Sequence, residues 1–178
     1  MIRYILIFGS ISGMLVAGML WLGVTLLAGE NGGGSMLFGY LSMLIALSFI
    51  FVAIKRYRDK ENGGVIKFWP ALGLGILVSL VAGLFYVAAW EAYLATTDGN
   101  WMANYIEAEI ATREAAGASA AEIAAFRTQM QGMADNYAHW WFRIPVTLSE
   151  ILPVGLLISL ISAGILRNPG ILPQRPQA

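Results

Sequence analysis

The sequence predicts an all-α integral membrane protein with four transmembrane helices and an extramembrane helical hairpin between spans three and four. Three observations lead there. The chain of 178 residues is 58% hydrophobic and only 12% charged, with a mean hydropathy of +0.66, too apolar for an ordinary soluble domain of this size. It contains four apolar runs near the length of about 20 residues that a bilayer-crossing helix needs. Its lysines and arginines gather on one side of those runs. Four spans and a hairpin use the whole chain, so residues 1–178 read as a single membrane domain without room for a separate catalytic domain.

Span one is residues 4–28, uncharged and preceded by Arg3. A secretory signal peptide competes for the same features, but its apolar region is only about 7 to 15 residues long, which favours a retained helix. Glu30 and the glycines 32–34 form the following turn. Span two covers 36–54 and stops at Lys55-Arg56-Tyr57-Arg58-Asp59-Lys60-Glu61-Asn62-Gly63-Gly64, which reads as a short polar turn. Phe68-Trp69-Pro70 opens span three, 70–90, with proline suited to a first helical turn and the aromatic rings to the interface. Span four is 144–166, closed by Arg167-Asn168-Pro169-Gly170. The proline-rich tail, 171–178, is expected to be mobile.

Orientation follows from charge, because basic residues flanking spans resist translocation. Arg3, Lys55, Arg56, Arg58, Lys60, Lys67, Arg167 and Arg175 are eight of the eleven lysines and arginines and share one face of a four-span chain. That face reads as cytoplasmic, so both termini are expected on the cytoplasmic side. The other face receives Glu30, Glu91, Asp98, Glu107, Glu109, Glu114, Glu122 and Asp135.

Residues 96–141 form the expected hairpin. Met102, Tyr105, Ile106 and Ile110 recur at helical spacing, Gly117-Ala118 breaks the pattern, and Ser119-Ala120-Ala121-Glu122 is a capping box that starts a second helix. There Ile123, Phe126, Met130, Met133 and Tyr137 step by three, four, three and four, an apolar seam that needs cover. The first helix of the hairpin or the membrane surface is one cover. A partner, either a second copy or another membrane protein, is the other. Small residues one turn apart supply packing faces in every span: Gly9, Gly13 and Ala17; Ser42 and Ala46; Gly75, Ser79 and Gly83; Gly155, Ser159 and Ala163.

Glu150 is the chief chemical candidate, since a carboxylate within an apolar run is costly unless neutral, paired or wet. It stands roughly 9 to 11 Å along the helix from Ile144 at about 1.5 Å per residue. Pro153 withholds an amide from the Ser149 carbonyl beside it, and Pro145 marks the outer start of the helix. Glu91 and Arg143 are expected at similar depth, so Glu91, Arg143, Glu150 and Pro153 form one candidate polar cluster. Two readings stand: a structural ion pair that sets register, or a proton or cation site at a broken helix, as in a small carrier.

Several classes are excluded or unsupported. The absence of cysteine removes disulfides, thiolate catalysis and cysteine-held metal. His139 is the single histidine, and with Trp140, Trp141, Phe142 and Arg143 it reads as an interfacial anchor, so no metal is expected. Zero net charge gives no nucleic-acid surface, the glycines 32–34 have no lysine of a phosphate loop after them, and no catalytic constellation or cofactor is expected. A noncatalytic accessory or interaction subunit is the leading expectation, with the bilayer as its solvent. A carrier using Glu150 is the alternative.

The stretch from Gly39-Tyr40 through Ile54-Lys55-Arg56-Tyr57-Arg58-Asp59-Lys60, continuing by Gly63-Gly64-Val65-Ile66-Lys67-Phe68, resembles the bacterial domain-of-unknown-function family 4199. The closing block Glu150-Ile151-Leu152-Pro153-Val154-Gly155 is similar to that family's last helix. The resemblance implies a small multi-span protein of a bacterial cytoplasmic membrane and places Tyr40, Tyr57, Arg58, Asp59, Glu150 and Pro153 in family-like blocks. It carries no catalytic residue over.

Overall fold

The computed structural model describes residues 1–26, 36–97 and 99–173, and within them the chain is helical: α1 (Ile2–Leu26), α2 (Met36–Leu47), α3 (Phe49–Glu61), α4 (Phe68–Ala95), α5 (Trp101–Ala115), α6 (Ala120–Tyr137) and α7 (Trp140–Leu166). Glu30, the glycines 32–34, Asp98 and Arg175 lie outside the described residues. Helices α2 and α3 are one apolar rod interrupted at Ser48. The Ser48 hydroxyl donates to the Ile45 carbonyl (2.7 Å), and the Phe51 amide closes on Ser48 (3.0 Å), a locally tightened turn. With the two joined, four helices are long and apolar enough to cross a membrane.

Three boundaries differ from expectation. The basic cluster after Ile54 is not a turn but the last two turns of α3, because lysine, arginine and glutamate favour helix and Lys55 pairs with Asp59 one turn on (2.5 Å). The helix stops only where Gly63 and Gly64 take φ of +58° and +87°, with the Asn62 and Gly64 amides both donating to the Arg58 carbonyl. Span four begins at Trp140, so Pro145 lies inside α7 and does not mark its start. The start of the tail is also anchored: the Ile171 and Leu172 carbonyls accept hydrogen bonds from Arg58.

The small residues decide how the rods pack. Helix α4 is central, lying along α1 on one side and α7 on the other. On α1, a Cβ added at Gly9 would meet Val81 at 2.6 Å and one at Gly13 would meet Phe85 at 2.6 Å, so the parallel pair advances one turn together. On α7 the register is antiparallel and reciprocal. A Cβ at Gly75 would strike the Ser159 hydroxyl at 2.6 Å, and one at Gly155 the Ser79 hydroxyl at 2.5 Å. Each serine is free to point at the opposing glycine because its hydroxyl donates to its own helix, Ser79 to Gly75 (3.0 Å) and Ser159 to Gly155 (2.7 Å). In lipid, where the hydrophobic drive is weak, this close fit supplies the dispersion contact that holds helices together.

Helices α5 and α6 pack on each other, joined by residues 116–119 with Gly117 at φ +87°. The capping box forms: the Ser119 hydroxyl accepts from the Glu122 amide (3.3 Å), and the Glu122 carboxylate accepts from the Ser119 amide (2.8 Å). That second bond holds the Glu122 carboxyl below the ordinary glutamate range.

Candidate functional site

Antiparallel α4 and α7 bring the predicted polar residues to one seam, but in two separate layers. At the end near α5 and α6, Arg143 grips Glu91 with two parallel bonds, Nε to Oε1 and Nη2 to Oε2, both 2.6 Å. Its remaining nitrogen, Nη1, donates to the carbonyls of Tyr137 (3.0 Å) and Ala138 (3.4 Å), the last turn of α6. Arg143 therefore neutralises a carboxylate on α4 and satisfies carbonyls that the end of α6 leaves open. Beside it the Trp90 indole donates to the Tyr137 hydroxyl at 2.7 Å. Trp101 packs edge-on against Trp90 (4.9 Å), stacks on Tyr105 (5.5 Å) and leans on Tyr137 (5.9 Å). Burial pushes the Tyr137 hydroxyl pKa up.

Glu150 is in the other layer. Its Oε2 accepts from the Tyr86 hydroxyl on α4 at 2.9 Å, and no ion pair among the described residues includes it. The expected cluster is thus divided, because Glu91 occupies the Nε–Nη2 edge of Arg143 and the Tyr137 and Ala138 carbonyls take Nη1. Pro153 is exposed on α7 and lines a shallow groove with Ser79, Leu80, Ser149 and Leu156, away from Arg143.

The predicted seam of α6 divides as well. Tyr137 is buried, Phe126 lies under the Arg113 guanidinium (4.0 Å to the ring centre), and Ile123 and Met130 are half-buried, leaving Met133 exposed at 41%. Arg127 reaches Glu107 across from α6 to α5 at 3.4 Å. Between this pair of helices and the ends of α4 and α7 lies a cleft of about 630 Å³, with Trp101, Met102 and Ile106 as apolar lining and Glu107, Arg127 and Asp135 as charged lining. His139 occupies the N-cap position of α7 without a side-chain bond to it and stacks on Trp141 at 5.6 Å, with Trp140 and Trp141 exposed.

One important residue is hidden within the topology signal. Arg58 is 0% exposed. Its Nε donates to Asp59 (2.8 Å), Nη1 to the Ile171 (3.0 Å) and Leu166 (3.4 Å) carbonyls, and Nη2 to Leu172 (2.6 Å). It closes the C-terminal end of α7 as Arg143 closes that of α6. Leu172 takes the left-handed φ of +50° that turns its carbonyl toward the guanidinium. The signal in the sequence is Asp59, adjacent to Arg58 and one turn after Lys55, but nothing local distinguishes Arg58 from Arg56 or Lys60.

Four helices long and apolar enough to span, locked by small-residue seams and two arginine clamps, mark a multi-pass helical membrane protein. The chain belongs to the family described as "Protein of unknown function (DUF4199)", which matches residues 7–168 and so takes in both family-like blocks. No curated protein and no solved structure matches it.

Proposed function

We propose that this protein is a noncatalytic interaction subunit of the bacterial cytoplasmic membrane, with both termini inside and α5–α6 forming a hairpin on the outer surface. The observation that carries the reading is the cleft under α5–α6. It is concave, floored by aromatic and aliphatic side chains and rimmed by both signs of charge, the composition that suits a segment of another membrane protein. The Arg143 and Trp90 contacts hold its walls in place, so a partner would find the cleft preformed and lose little freedom by binding. Orientation draws its support from charge: Arg3, Arg56, Lys60, Lys67 and Arg167 are all exposed, and α1, α3 and α7 meet at that end through Tyr4–Glu61 and Arg58–Leu166.

Because the chain has no cysteine, single-cysteine variants test the topology cleanly. Met133→Cys should react with a membrane-impermeant maleimide in intact cells and Lys60→Cys only after lysis; the reverse pattern would invert the topology. For the partner, a photoreactive side chain at Gln131, on the cleft wall, should yield one discrete species above the monomer in native membranes. Adducts confined to α5 of the same chain would remove the partner.

A further inference from the structure

The interaction reading leaves Glu150 without a task. Helix α7 has 27 residues, which at about 1.5 Å each makes it about 40 Å long and puts Glu150 within about 5 Å of its midpoint. The residue is exposed on the flank of the bundle. Leu157 and Ile161, two and three turns further along the same face, are 54% and 51% exposed. In a helix long and apolar enough to cross a membrane, that exposed apolar face is the one acyl chains would meet, and the carboxyl lies near the middle of the helix's length. Among the described residues, the helices around it offer hydroxyls: Tyr86 of α4 in hydrogen-bond contact, with Tyr40 of α2 and Tyr137 of α6 within electrostatic reach of the pair. The arginine on its own face, Arg143, is committed to Glu91, and the ionisable residues of α1 and α3 (Arg3, Tyr4, Lys55, Arg56, Tyr57, Arg58, Asp59, Lys60 and Glu61) belong to the opposite end.

Among the described residues that carboxylate has no counter-ion and one neutral donor, and the bilayer penalises its charge. We propose that Glu150 is a proton-binding site on the lipid-facing flank of α7. Its carboxylate takes a proton from hydronium and releases water; the neutral acid remains hydrogen-bonded to Tyr86. This goes beyond the interaction reading and is independent of it, since it concerns the bilayer-depth flank and not the cleft.

A hydrophobic carbodiimide distinguishes the states chemically. The carboxylic acid gives its proton to a carbodiimide nitrogen while its oxygen bonds to the central carbon; an oxygen-to-nitrogen acyl shift then leaves a stable acylurea with no group lost. The full chain in lipid nanodiscs, treated with N,N′-dicyclohexylcarbodiimide near neutral pH, should gain one adduct that peptide mapping places on Glu150. Glu150→Gln, whose carboxamide still accepts from Tyr86, should gain none, and Tyr86→Phe should keep the adduct. A cationic, water-soluble carbodiimide should leave Glu150 unmodified. The proposal is overturned if folded wild-type protein gains no adduct at Glu150, if the adduct maps to Glu91, or if the water-soluble reagent labels Glu150 equally well. Mapping of the wild type decides the matter even should Glu150→Gln fail to reconstitute.

Discussion

The two ends of the α4–α7 seam are built on different principles. Toward Arg58 the contact is nearly side-chain-free: glycine opposes serine twice, and α7 ends on a fully buried guanidinium that collects three carbonyls. Toward Tyr137 the helices are held by long polar and aromatic side chains, the Glu91–Arg143 fork and the Trp90–Tyr137 bond, with a cleft beside them. One end achieves rigidity by close approach of backbones, and the other by a network that leaves room. The roomy end is where recognition or exchange with solvent is physically feasible.

That contrast is breakable at graded cost. The largest effect is expected from Gly155→Leu, which drives a branched side chain into Ser79; overpacking beyond about 3 kcal/mol should abolish a monodisperse peak in mild detergent. The same change at Gly164, where an added Cβ would meet nothing within 4 Å, should be tolerated. Next comes Arg58→Ala. It strands the Leu166, Ile171 and Leu172 carbonyls and removes a buried ion-pair partner, for a loss of about 3 kcal/mol, visible as a lower unfolding temperature and early proteolysis after Leu166. Arg58→Lys should recover little, since an ammonium cannot span the fork. At the roomy end, Glu91→Gln weakens a pair still partly open to solvent, so about 1 kcal/mol is expected, together with faster hydrogen exchange at the end of α6.

The smallest effect is at Ser119. Ser119→Ala should fray only the first turn of α6, read by exchange of the Glu122 and Ile123 amides. The same turn should respond to acid. Because the Glu122 carboxyl is held below its ordinary value by the Ser119 amide, its contribution is complete above the ordinary glutamate range and is lost as pH falls through the lowered value. Fraying that instead increased with rising pH would refute the assigned bond.

The spans, the capping box and the inward stripe of α5 are legible in residues 1–178 because each depends on near neighbours. Met102, Tyr105, Ile106 and Ile110 are all buried or half-buried, as their spacing implies. The end of α3 is not legible from charge, because charged residues with good helical propensity continue a helix past the membrane edge until glycine ends it. Arg143 stands out in the sequence, but its choice between Glu91 and Glu150 depends on the register of α7 against α4.

By itself the sequence determined how many apolar helices there are, which of their ends carry the basic residues and where the capped helix α6 begins, since apolar length, charge and capping act within about one or two turns of chain. Only the tertiary structure decided that Gly75 meets Ser159 and Gly155 meets Ser79, that Arg58 is buried and that Glu150 accepts from Tyr86 and not from Arg143. Every span offers a small-residue stripe, so no local property selects which stripes mate. That selection comes from the fit of whole faces, and it assigns each arginine its carbonyls and each carboxylate its partner.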